Sequence, residues 1–131
     1  MYSKTEIIGN LGRDPEMKYL PSGDAVTSFS VATTEKWTGK DGQKSERTTW
    51  YRVSAFGKLA EVCNEYLKKG AKVFVVGSLH ADSETGGPRV WNDKEGNPRA
   101  SFELRASEVK FLSSRNESAA APQGDDEDVP F

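Results

Sequence analysis

Hydrophobic and polar residues alternate in short runs along most of this chain, the two-residue period of strands half-buried in a sheet. The segment 5–11 is β-favouring and closes at Gly12-Arg13-Asp14-Pro15, where the proline disfavours helix at Asp14. Pro21-Ser22-Gly23-Asp24 is a turn signal. After it, Thr27, Phe29, Val31 and Thr33 alternate with Ser28, Ser30, Ala32 and Thr34. Val26 falls out of that phase, which predicts a bulge near the start of this second strand. Lys40-Asp41-Gly42 marks the next turn. In the third strand, 48–57, Tyr51, Val53 and Ala55 point one way and Trp50, Arg52, Ser54 and Phe56 the other. Leu59, Val62, Cys63, Tyr66 and Leu67 then recur at helical spacing. Lys68 and Lys69 are expected in the last turn of that helix, with Gly70 as its stop. Val73, Val75, Gly77 and Leu79 form a fourth strand, and the polar stretch 82–98 reads as a hairpin arm. Phe102, Leu104 and Ala106 alternate, and Val109 and Phe111 resume one residue out of phase, which predicts a bulge near Ser107.

The predicted order is β-β-β-α-β-β. Five strands with one helix between the third and fourth describe an all-β Greek-key barrel of the OB type, although other small α+β folds share that order. The barrel is expected over 1–112. The segment 113–124 lacks periodicity, is rich in Ser and Ala, and is expected to be a disordered linker to a tip at 125–131.

Composition narrows the function classes. The 131 residues fit one domain plus a tail. No apolar run approaches the roughly 20 residues of a membrane span, and with Met1-Tyr2-Ser3-Lys4 leading straight into Ile7-Ile8 no targeting peptide is expected. A single Cys63 forms no internal disulfide and fits a reducing cytoplasm, and one His with one Cys builds no zinc site. The net charge of −2 divides unevenly: 17 basic against 15 acidic residues over 1–112 give +2, and Arg115 against five acids over 113–131 gives −4. Nucleic-acid affinity resting on charge alone is disfavoured.

Three features carry chemistry. Trp50, Arg52 and Phe56 share the strand side opposite a Val/Ala face, where rings stack on unpaired bases and Arg meets phosphate. The plain alternative is a second apolar layer or a subunit interface. Trp37 at the end of the second strand and Trp91 in the polar arm extend this into a stacking path with Lys and Arg nearby. Each of these two also fits a loop tryptophan packed on its own domain. The third feature is the ending Asp125-Asp126-Glu127-Asp128-Val129-Pro130-Phe131, where an aromatic ring beside the terminal carboxylate suits capture by an apolar pocket with a basic rim. A merely solubilising tail is the alternative.

The chain resembles the bacterial single-stranded DNA-binding protein family over 3–112 and again at 125–131. The resemblance is carried by Ile8-Gly9-Asn10-Leu11-Gly12-Arg13-Asp14-Pro15-Glu16, Phe29-Ser30-Val31-Ala32-Thr33, Trp50-Tyr51-Arg52-Val53, Phe56-Gly57-Lys58-Leu59-Ala60-Glu61, Tyr66-Leu67-Lys68-Lys69-Gly70 and the acidic Val-Pro-Phe ending. It implies an OB-fold subunit, usually of a homotetramer, that wraps single-stranded DNA without marked sequence preference in replication, recombination and repair. It also implies base stacking at Trp37, Trp50, Phe56 and Trp91, protein docking at the tip, and a cytoplasmic, nucleoid-associated site of action. Three features depart from the family pattern: a longer arm over 81–90, Tyr51 where many members carry a His associated with subunit contacts, and a short linker spanning about 20 Å r.m.s..

The remaining candidates have plainer readings. Arg13, Arg52, Lys58, Lys72 and Arg89 are candidates for a phosphate track because they stand on strand faces or loops beside the tryptophans, though a solvated Lys58 is the default. Cys63 lies in the helix stripe as a small buried hydrophobe. His80 ends the fourth strand, near the groove or in solvent. Gly9, Gly12 and Gly57 fit bends or close packing, since Gly9-Asn10-Leu11-Gly12 precedes no helix and lacks the Lys-Ser/Thr ending of a phosphate loop. Asp14 and Glu16 fit a turn and an edge. No catalytic constellation and no cofactor are expected. An OB-type RNA-binding or protein-interaction module is the competing class.

Overall fold

The computed structural model describes residues 1–113; the expected linker beyond Ser113 and the tip at 125–131 lie outside the described residues. In chain order the elements are β1 (Thr5–Leu11), β2 (Glu16–Tyr19), β3 (Ala25–Thr38), β4 (Lys44–Phe56), α1 (Lys58–Tyr66), β5 (Lys72–Leu79), β6 (Arg89–Asn92) and β7 (Pro98–Phe111). The sheet runs β1-β5-β7-β4-β3-β2, and an extra β1–β3 pairing at Asn10–Ala32 and Leu11–Val31 closes β1, β5, β7, β4 and β3 into a five-stranded barrel. The β4–β7 pair is parallel, as one seam must be when five strands close with every other seam antiparallel.

Inside the barrel, Ile7, Leu11, Phe29, Val31, Val53, Ala55, Val73, Val75 and Leu104 form one core with Cys63 and Leu67 at the helix end. The buried Thr27 hydroxyl donates to the Ala60 carbonyl at 2.6 Å, tying α1 to β3 and leaving no buried polar side chain unpaired among the described residues.

The expected bulge near Ser107 is present: Val76 faces Glu108 and Gly77 faces Ala106, so Ser107 is the extra residue, and its hydroxyl bonds the Val76 carbonyl at 3.1 Å. The bulge expected near Val26 is absent. Ala25 holds the inward slot at 6% exposure, the β3–β4 register runs unbroken from Val26–Phe56 to Thr38–Lys44, and Val26 faces outward. The helix also ends earlier than expected. Leu67 is already extended (φ −89°, ψ 152°) and still buried, so Lys68 and Lys69 lie beyond the helix. Gly70, at φ 88°, sits in a turn closed by the Ala71 N–H on the Lys68 carbonyl rather than at the helix stop. Two strands were not predicted: β2, an edge strand with only Met17 partly buried, and the fully exposed β6. The polar arm resolves into a compact loop at 80–88, built around the Asp82 carboxylate, and a β6–β7 hairpin.

Candidate nucleic-acid interface

Residues opposed in a ladder face the same side of the sheet. Trp50, Arg52, Ser54 and Phe56 therefore stand outward beside Ala32, Ser30, Ser28 and Val26 of β3, while the parallel pairing sets Glu103 beside Arg52 and Arg105 beside Ser54. These β3 neighbours are small, so nothing covers the Trp50 indole, which is 53% exposed. Beneath it lies Gly12, whose backbone follows β1 and donates to the Ser30 carbonyl at 3.1 Å. A Cβ built on Gly12 would stand 2.6 Å from Trp50 Cζ3 and 2.8 Å from Cη2, so the ring rests directly on the glycine. Next along the chain, Arg13 joins Arg52, Asp14, Glu16, Ser28, Phe29 and Ser30 around a shallow depression of about 60 Å³.

The hairpin arm continues this face. Arg89 opposes Ser101 and Trp91 opposes Arg99, and the alternation of β7 carries that side through Glu103 and Arg105 to the level of Arg52 and Ser54. Trp91 and Arg89 thus share the side of Trp50 and Arg52. At the hairpin tip, the Asp93 carboxylate accepts from the Glu95 and Asn97 N–H groups, each at 2.9 Å, and from Arg99 Nε at 3.0 Å. The Asn97 N–H first, then the Arg99 side chain, hold its pKa below the ordinary aspartate value.

Not every candidate joins this cluster. Trp37, opposite Ser45, has the parity of Phe29 and Val31 and lies five residues beyond the Ala32–Trp50 level, about 17 Å along the hairpin. There the Arg47 guanidinium sits 5.4 Å from its ring centroid, and the ring remains 43% exposed. Lys72 occupies the lateral row Trp50–Ala32–Asn10–Lys72, three strands and about 14 Å around the barrel. Lys58 opens α1 immediately after Phe56 and Gly57 and is exposed. Phe56 is half-buried, with the Arg105 guanidinium 4.3 Å from its ring centroid.

Sequence reasoning missed Arg47, Arg99 and Arg105. The alternation of Arg105 with Leu104 and Ala106 shows an outward side chain, but its partner Phe56 is brought near only by the β4–β7 pairing.

Among the described residues, no group of three or more His, Cys, Asp or Glu could hold a metal ion, and no helix is long and apolar enough to cross a membrane.

Fold and site together define an OB-type barrel with an aromatic and basic outer face. Residues 2–112 match the single-strand binding protein family, and the chain belongs to it. It is similar to the single-stranded DNA-binding protein of two Neisseria meningitidis strains, 43% identical over 121 residues and 92% of this chain, and spans 66% of their length. Single-stranded DNA-binding protein 1 of Xylella fastidiosa is 43% identical over 88% of this chain and 80% of its own length. Among solved structures, a Plasmodium falciparum SSB in complex with ssDNA superposes with a TM-score of 0.69 at 30% identity, covering 86% of this chain and 97% of that one. A deletion mutant of the Thermus aquaticus single-stranded DNA-binding protein gives a TM-score of 0.67 at 28% identity, covering 88% of this chain and 52% of that one.

Proposed function

We propose that this protein binds single-stranded DNA along the outer β4–β7 face, without marked sequence preference, and shields exposed strands during replication, recombination and repair. The observation that carries this reading is the Trp50 indole, 53% exposed on a floor of glycine and flanked by Arg52. An indole kept bare in water has a ready partner in the face of an unpaired base, and stacking is worth about 1–3 kcal/mol per base whatever the base. Trp91 and Arg89 extend the path along the arm, Phe56 ends it on β4, and Trp37 serves DNA that continues past the β3–β4 hairpin. Arg13 and Arg52 around one depression are the best-placed phosphate contacts, with Lys58 at the helix start. Lys72 serves only DNA that wraps around the barrel.

The test is a titration of intrinsic tryptophan fluorescence with oligo-dT over a salt series. Strong quenching, weakened by Trp50→Ala, is the expected result. A flat signal would refute the reading and favour a protein-interaction module.

In the same reading the protein acts as a homotetramer in the cytoplasm, associated with the bacterial nucleoid. Tyr51 and Phe102, 5.9 Å apart between ring centroids, support subunit contact because Phe102 is left 47% exposed. Light scattering at a fourfold subunit mass is expected. The tip Asp125-Asp126-Glu127-Asp128-Val129-Pro130-Phe131 docks partner proteins, so removing 125–131 should abolish partner binding and spare oligo-dT binding.

A further inference from the structure

Phe56 does not offer a bare ring. Arg105 of β7 is exposed, and its guanidinium carbon lies 4.3 Å from the Phe56 ring centroid, brought there by the parallel register that sets it beside Ser54. Among the described residues no ion pair involves Arg105. The neighbouring acid, Glu103, instead accepts the Ser101 hydroxyl at 3.0 Å. A cation therefore stands on an aromatic ring at the solvent side of this face, held in no ion pair among the described residues.

Resting on the single-stranded DNA reading above, we propose that the binding element here is the Arg105–Phe56 pair: DNA meets the Arg105 guanidinium, and Phe56 supports it from beneath. A guanidinium is planar, so it stacks on a ring with one face and on a base with the other, while its N–H donors reach an adjacent phosphate. A base aimed at the bare ring would first have to lift Arg105 away, at a cost of roughly two- to fivefold in affinity for an exposed cation–π contact. Lysine supplies the charge without the plane, so the two side chains are not equivalent at such a position. Phe56 then acts as a positioning residue for Arg105.

The experiment is an oligo-dT titration of the parent protein, Arg105→Ala, Arg105→Lys, Phe56→Leu and the Phe56→Leu/Arg105→Ala double variant, over a salt series. Arg105→Ala should weaken binding about 5- to 30-fold. It should also flatten the log K against log salt slope by about 0.7, the value for one phosphate on a single strand. Arg105→Lys should restore the slope but recover less than half of the lost affinity on a logarithmic scale. Phe56→Leu should cost less than Arg105→Ala and add almost nothing to it.

Full recovery by lysine would reduce Arg105 to a point charge and overturn the proposal. So would an Arg105→Ala variant that binds as tightly as the parent or tighter, or a Phe56→Leu loss that persists undiminished in the double variant. A parent protein that shows no quenching overturns the DNA reading and this proposal together, whereas a binding parent with an indifferent Arg105→Ala variant overturns this proposal alone.

Discussion

Replacing Gly12 by alanine isolates what holds Trp50 in place. Gly12 is not among the positive-φ residues, and its N–H bond to the Ser30 carbonyl at 3.1 Å survives a methyl side chain, so the change imposes no backbone strain. Its whole effect falls on the indole. Carbon atoms 2.6 and 2.8 Å from the new Cβ must retreat to a contact distance of about 3.5–4.0 Å, a displacement of roughly 1 Å. The ring edge is free to move into solvent, so stability should change by less than about 0.5 kcal/mol. Stacking on Trp50, worth about 1–3 kcal/mol per base, depends on the position and tilt of that ring. A loss of about 1–2 kcal/mol, or roughly 5- to 30-fold in Kd, is therefore expected. Oligo-dT titration followed by tryptophan quenching measures it, with denaturant unfolding as the control for stability. Because the effect acts through Trp50, Gly12→Ala should cost almost nothing in a Trp50→Ala background. Parental affinity in Gly12→Ala, or an undiminished loss in the double variant, would show that Gly12 does not set the indole.

Other predictions follow from burial and from the arm. Leu104, at 1% exposure between β4 and β5, should lose about 2–5 kcal/mol of stability on truncation to alanine, read as a lower denaturant midpoint. Asp93 has a depressed pKa, so its support of the hairpin is present at neutral pH and is lost only as pH falls below 3.8 through its lower folded value. Asp93→Asn at pH 7 should speed amide exchange at Glu95 and Asn97, while parent protein moved from pH 7 to pH 5 should show no loss of protection beyond the intrinsic exchange rate; a loss in that interval would contradict the assignment. Burial pushes the Cys63 thiol up to about 11, so alkylation at pH 8 should keep pace with global opening, and rapid labelling of the native protein would place the thiol outside the core.

The sequence determined the barrel's inner lining and the polarity of its best strand. Strict alternation put Val53 and Ala55 inward and Trp50, Arg52 and Phe56 outward, because a strand has no third direction for a side chain. The out-of-phase Val109 and Phe111 disclosed the Ser107 bulge, since an extra residue is what restores an inward phase. Where apolar contrast was weak, the pattern misled or fell silent. Ala25 filled an inward slot that Val26 was expected to disturb, and β2 and β6 form by pairing with β3 and β7 while burying almost nothing. Above all, proximity across the barrel was not legible. Trp50 resting on Gly12, Arg13 lining one depression with Arg52, and Arg105 standing on Phe56 each join residues far apart in sequence. Periodicity assigns a side chain to a face. Only the closed register of β1, β3, β4 and β7 decides which neighbours it meets there.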